Sequence, residues 1–247
     1  MKLQLRIIGY KDMKRIVMMV LRLGLFSIYY FVLLCIKSNA RVKDFNKNYQ
    51  LISKMTARVN KAGKVKIEAS GIENLPRENG FVLFPNHQGL YDTLAFFESC
   101  PRTLSFVIKK EASNVILLKQ VVKATGSLIM DREDIRQSME IINIMTEEVK
   151  KGRNFVIFPE GTRSKQGNKL IDFKPGSFKS AVKAKAPIVP CAIMNAYIPF
   201  DENHTKPVTV KLFYLKPMYY DEYKNMKTTE IAAEVKQRIE KTINNNI

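Results

Sequence analysis

From about residue 65 onward the chain is a series of short apolar runs separated by longer stretches of helical period. The runs are Phe81–Phe84, Leu104–Ile108, Ser127–Met130, Phe155–Phe158, Ile188–Ile193 and Val208–Leu215. They follow an alternating opening, "KVKIEASGIENLP", that turns at Gly71 and Pro76. Each is β-rich and bounded by turn formers, which predicts strands. The periodic segments at about 90–99, 113–125, 134–151 and 177–185, with Thr228–Ile243 at the end, predict helices. Strands alternating with helices imply an α/β fold, with a mostly parallel central sheet flanked by helices. In such sheets the site is built from loops at the carboxyl ends of the strands.

The residues before this region have a different character. Residues 1–64 hold 14 Lys/Arg against 2 Asp/Glu, and the rest of the chain holds 27 against 21, so most of the net +18 lies in the first quarter. Within that quarter runs an apolar stretch, Ile16–Ile36, interrupted by Arg22. Its length suits a membrane-crossing helix, which needs ~20 apolar residues. Its basic start and the "SNA" at Ser38–Ala40 also suit a signal peptide. A third possibility is an anchor lying in one leaflet. Both flanks are basic, with Lys2, Arg6, Lys11, Lys14 and Arg15 before and Lys37, Arg41, Lys43 and Lys47 after. Both ends therefore favour the same anionic surface. Phe45, Tyr49, Ile52, Met55 and Val59 then form one apolar stripe of helical spacing. That stripe either lies on a membrane or packs on the protein's own core. The expected division is a basic helical membrane anchor over 1–64 and an α/β domain over 65–247. The anionic partner is read as membrane lipid, since no nucleic-acid fold signature is present. Cys35, Cys100 and Cys191 show no metal spacing and read as free thiols of a reducing compartment. The expected place is thus the cytoplasmic face of a membrane.

Two strand ends carry the chemistry. The first is "FVLFPNHQGLYDT", Phe81–Thr93. His87 falls just past the strand, and Gly89 is an acceptable helix N-cap that would put Asp92 in the first helical turn. His87 can then fold back so that Asp92 accepts one imidazole N–H and leaves the other nitrogen free as a base. The plainer alternative is a loop histidine bonding locally. The second is "FVIFPEGTRSKQGNKLIDFKPGSFKSA", Phe155–Ala181. It offers Glu160, Gly161, Thr162 and Arg163, with Lys174 and a Pro175–Ser177 turn behind them. An arginine fork suits phosphate oxygens, and glycine admits a close backbone approach. A base at one strand end and an anion clamp at another suggest a reaction on a phosphorylated alcohol. No metal is expected, because His87 and His204 are far apart without carboxylates at ligand spacing. His204, in "DENHTKP", reads as a loop residue.

"NHQGLYD", "FPEGTRS" and "APIVPCAI" together resemble the glycerolipid acyltransferases, specifically the 1-acyl-sn-glycerol-3-phosphate (lysophosphatidic acid) acyltransferases, over about residues 65–220. The resemblance implies His87 as general base oriented by Asp92. It implies Glu160, Gly161, Thr162 and Arg163 in the glycerol-phosphate site. "KKE…GSLIMDR" resembles the family's second block, which implies Lys109 and Arg132 as phosphate contacts. "APIVP", Ala186–Pro190, resembles the fourth, near the acyl-donor path. The implied reaction moves an acyl group from acyl-CoA or acyl-carrier protein, as donor substrate and without a cofactor, to the sn-2 hydroxyl of lysophosphatidate, giving phosphatidic acid. Glycerol 3-phosphate or another lysophospholipid is the alternative acceptor, and a non-catalytic basic membrane-binding protein is the distant alternative. The sequence departs from the family pattern at Gly89, where many relatives have Ser, and at Ala112 and Ile116 in the second block.

Overall fold

A computed structural model describes residues 14–247; Lys2, Arg6 and Lys11 of the basic flank lie outside the described residues. The strands are β1 (Val65–Ser70), β2 (Val82–Pro85), β3 (Leu104–Lys109), β4 (Leu128–Met130), β5 (Asn154–Val156), β6 (Ile188–Met194) and β7 (Val208–Tyr214). They form one sheet in the order β1-β7-β6-β2-β5-β3-β4. The five strands from β6 to β4 run parallel. β7 is antiparallel to β6, and β1 is parallel to β7. The loops after β2, β3, β4, β5 and β6 therefore all leave the same edge of the sheet.

Both faces of the sheet are buried, as its apolar runs require. Side chains alternate along β2: Phe81 and Leu83 join one core, and Val82 and Phe84 join the other. The helices are α1 (Lys14–Leu23), α2 (Leu25–Asn39), α3 (Phe45–Gly63), α4 (Asp92–Ser99), α5 (Ile116–Thr125), α6 (Ile135–Lys150), α7 (Lys179–Ala184), α8 (Ile198–Asp201), α9 (Tyr220–Tyr223) and α10 (Thr228–Asn244). The first core takes Leu34 of α2, Tyr49 and Ile52 of α3 and Phe96 of α4. The second takes Met145 of α6, Ala181 of α7 and Val235 of α10. Asp44 and Asp134 cap α3 and α6 by accepting the amides of Lys47 and Gln137.

The stripe on α3 faces inward. Tyr49 and Ile52 are buried, Met55 and Val59 pack on the same cluster, and the Tyr49 hydroxyl donates to the Phe96 carbonyl at 3.1 Å. Of its two possible partners, lipid or core, it meets the core. The exposed apolar surface belongs to α1 and α2 instead, through Leu21, Leu25, Phe26, Ile28, Tyr29 and Ile36. Among the described residues no single helix is long and apolar enough to cross a membrane. By length and composition the α1–α2 pair could, but it is bent by 91° at its break. Gly24 makes that break with φ 52° and ψ −130°, a backbone state essentially reserved for glycine. The end of α2 is built into the fold, with the Ser38 hydroxyl donating to Gln120 of α5 at 2.5 Å. The three cysteine thiols are free.

Candidate active site

β2 ends at Pro85, and the next residues are locked by their side chains. Asn86 bonds the strand beside it like a further peptide unit: its amide donates to the Ile193 carbonyl at 2.9 Å and its oxygen accepts the Ile193 N–H at 2.7 Å. Gln88 donates to the Asn168 side chain (2.8 Å) and the Gly167 carbonyl (3.1 Å), and accepts from the Ala196 N–H at 2.8 Å. Three loops are thereby tied together on either side of His87.

The imidazole Nδ1 lies 2.7 Å from Oδ2 of the fully buried Asp92. A carboxylate can only accept, so Nδ1 carries the hydrogen and the neutral ring keeps its lone pair on Nε2. The ring stacks on Phe158 at 4.2 Å, which fixes its plane, and the side chain keeps 20% exposure. The local geometry corrects one expectation. α4 begins at Asp92, with Tyr91 as N-cap, and not after Gly89. The Asp92 carboxylate reaches back to the N–H groups of Gln88 (2.8 Å) and Gly89 (3.2 Å), so it holds those two residues out of the helix.

β5 is the neighbour of β2, and its exit loop clasps the histidine. Glu160 accepts the His87 N–H at 2.6 Å and the Ile171 N–H at 3.2 Å. The Ser164 N–H donates to the His87 carbonyl at 2.9 Å. Burial pushes the Glu160 carboxyl up to about 7, against the opposing pull of those two amides. Both of its oxygens are therefore taken by backbone groups. Gly161 adopts φ 72°, turning the loop beside Lys174, whose N–H donates to the Pro159 carbonyl at 2.8 Å. Thr162 is exposed. Arg163 is partly buried, with Nη1 3.6 Å from Asp201 Oδ1. Pro175–Phe178 forms a 3-10 turn that leads into the short α7.

The remaining sequence-predicted residues extend along the same edge. Lys109 closes β3, next to β5, and pairs with Glu111 at 2.8 Å. Arg132 follows β4, three strands from β2 and so about 14 Å from the histidine's strand at the usual spacing. It is partly buried and feels the Glu111 charge. Ala186–Pro190 leads into and enters β6, which is buried throughout and serves as the strand that Asn86 grips. His204 sits in a loop, its Nε2 2.9 Å from Glu202. Among the described residues no group of three or more His, Cys, Asp or Glu side chains is placed to hold a metal ion.

Sequence reasoning passed over Gln88, Phe158 and Asp201. Gln88 lies inside the quoted motif, and a polar residue wedged between a base and its carboxylate is a readable signal. Asp201 gives none, because only the fold brings it to Arg163.

The family model described as Acyltransferase matches residues 66–194, just over half of the chain. The chain is 30% identical over 133 residues to a 1-acyl-sn-glycerol-3-phosphate acyltransferase of Helicobacter pylori, covering 54% of this chain and 51% of that protein. It is 28% identical over 180 residues to the protein of the same name from Salmonella typhimurium, covering 72% and 73%. The chain thus spans about half the length of the first of these relatives. Its fold is that of the crystal structure of the 1-acyl-sn-glycerophosphate acyltransferase of Thermotoga maritima, with a TM-score of 0.76 at 22% identity over 95% of this chain and 97% of the other. With its histidine–carboxylate pair inside the matched segment, the chain belongs to the acyltransferase family.

Proposed function

We propose that this protein transfers a fatty acyl group from an acyl thioester to the free hydroxyl of 1-acyl-glycerol 3-phosphate, forming phosphatidic acid. The observation that carries the reading is the clasp between two neighbouring strand ends. The loop that holds the His87–Asp92 pair is bonded, through the Ser164 N–H, to the loop that presents Arg163. A hydroxyl and a phosphate on one small glycerol unit need a base and a cation on adjoining loops. The names of the relatives agree with this acceptor.

In the proposed step His87 Nε2 takes the hydroxyl proton while that oxygen attacks the thioester carbonyl. The tetrahedral intermediate then expels the thiolate, which takes the proton back from the imidazolium. Asp92 holds the ring's orientation and stabilises its charged form. A thiol with pKa ~8.5 is a good leaving group and needs little acid assistance. No covalent enzyme intermediate is required. Arg163 grips the acceptor phosphate, with Lys109 and Arg132 further along the sheet edge serving the charged parts of either substrate. Glu160, with both oxygens committed to amides, acts by holding the loops of the glycerol-phosphate site and not by touching the substrate. The exposed apolar side chains of α1 and α2, set in a basic first quarter, support a seat on an anionic leaflet at the cytoplasmic face.

The test crosses acyl-CoA and acyl-carrier-protein donors with lysophosphatidate, glycerol 3-phosphate and neutral lysolipids. Turnover is expected with lysophosphatidate. A preference for glycerol 3-phosphate, or for a lysolipid with a larger head group, would replace the acceptor. His87→Ala is expected to lower turnover by about 10²–10⁴-fold while vesicle binding persists. Arg163→Ala is expected to raise chiefly the acceptor KM; a change confined to the donor KM would move Arg163 to the donor site.

A further inference from the structure

Arg15 is a charged side chain in α1, whose Val17, Val20 and Leu21 are exposed, yet it is 1% exposed. Nη1 donates to the carbonyl of Gly63, the last residue of α3, at 2.6 Å. Nη2 donates to the carbonyls of His204 (3.0 Å) and Lys206 (2.9 Å) and lies 3.2 Å from His204 Nδ1. With Glu202 2.9 Å from Nε2, the neutral His204 ring donates to that carboxylate, which leaves its unprotonated Nδ1 facing Arg15. The guanidinium fork therefore ties the anchor helix to the end of α3 and to the segment 202–206. A lysine has no planar fork to reproduce these directions.

That segment leaves directly from α8, whose last residue is Asp201, the partner of Arg163. Asp201 also stands beside the histidine loop: a Cβ at Gly89 would lie 3.3 Å from its Oδ2. Phe200, one residue earlier, packs edge-on against Tyr91 at 5.3 Å, and Tyr91 is the N-cap of the helix that begins with Asp92. The Tyr91 hydroxyl donates to Asn60 at 2.5 Å, one turn before the Gly63 carbonyl that Arg15 holds. Among the described residues, α1 thus reaches the histidine loop through residues 200–206 and through the end of α3, and reaches Arg163 through Asp201.

We propose that Arg15 and Asp201 are positioning residues. Arg15 clamps residues 202–206 against the anchor helix, and Asp201 at the head of that segment sets the guanidinium of Arg163. How α1 sits on the protein then determines how firmly the acceptor is held. This rests on the reading that Arg163 grips the acceptor phosphate.

The experiment compares the full chain with Arg15→Met, Arg15→Lys, Asp201→Asn and the Arg15→Met/Asp201→Asn double variant, all bound to anionic vesicles. Each single variant is expected to raise the acceptor KM about 10-fold, with kcat and donor KM within about 2-fold of wild type. The double variant is expected to be no worse than the worse single one, because the two residues act along one path. Hydrogen exchange of the same samples is expected to show faster exchange at residues 202–206 and at the Arg163–Ser164 amides in both Arg15 variants. Should Arg15→Met fail to fold, Arg15→Lys carries the comparison. Faster exchange at 202–206 with an unchanged acceptor KM, or single effects that multiply in the double variant, overturns the proposal. If wild type uses no phosphate-bearing acceptor, the acceptor assignment fails instead. The exchange arm then decides alone, and unchanged Arg163–Ser164 amides sink the coupling.

Discussion

Glu160 is placed where a protonation change is felt by His87. It is buried, and its oxygens accept N–H groups from His87 and from Ile171 across the loop. Burial pushes its native carboxyl up to about 7 from an ordinary 4.5. The native state therefore binds this proton more tightly than the unfolded chain. The associated stability is fully present below about pH 4.5 and is lost as pH rises to about 7, by up to about 3 kcal/mol. Urea unfolding of wild type and Glu160→Gln at a series of pH values checks this. The gap in their stabilities is expected to move against wild type between pH 4.5 and 7 and to stay level above, other titrations being common to both proteins. Asp92 bears on the ring itself. Asp92→Asn puts an amide where three donors converge, so the His87 tautomer is no longer enforced. A loss in kcat of about 10²–10⁴-fold is expected, measured beside a melting curve to show that the fold persists. The histidine–aspartate pair could be read from the sequence because both partners sit in one short loop. Asp201 could not, since its meeting with Arg163 depends on where β6 and α8 lie.

The elements show a similar split between what pattern carries and what packing decides. The strands were legible because a two-sided sheet demands apolar runs bounded by turns, and the parallel order followed from the helices between them. The reversed pair β7–β1 was not, because a half-buried strand alternates in the same way whichever direction it runs. The stripe on α3 was equally ambiguous, since lipid and protein core select the same spacing. The bend at Gly24 is the feature of α1 and α2 most open to test. A Cβ there meets no atom within 4 Å, so any penalty lies in the backbone alone. Gly24→Ala is expected to cost about 1–3 kcal/mol. It would loosen α1 from α3 and appear as a lower melting temperature with faster proteolysis between residues 14 and 24.

At the scale of the whole molecule, some exposed apolar side chains stand at the sheet edge that carries the His87 and Arg163 loops. α5 and α6 start just after β3 and β4, so Ile116, Leu117 and Ile135, all exposed, stand on the edge that carries the histidine. α5 also packs against the end of α2, through Gln120 and Ser38. Placing charge there with Ile116→Glu and Leu117→Glu together is expected to weaken co-sedimentation with anionic vesicles about 10-fold or more, since each such side chain contributes about 1.5–3 kcal/mol when removed from water. Turnover of a short-chain, water-soluble acceptor is expected to stay close to wild type in the same variant.

The right-angle turn between α1 and α2 has a consequence for a bilayer in which the protein makes phosphatidic acid as proposed. Helices of 10 and 15 residues reach about 15 and 22 Å, each short of the roughly 30 Å oil layer. With the proposed activity and a seat in one leaflet, the molecule would form its product on that side, whose area would outgrow the other. Sustained growth then calls for a lipid-flipping partner, and giant liposomes given the enzyme without one should bud or form tubes.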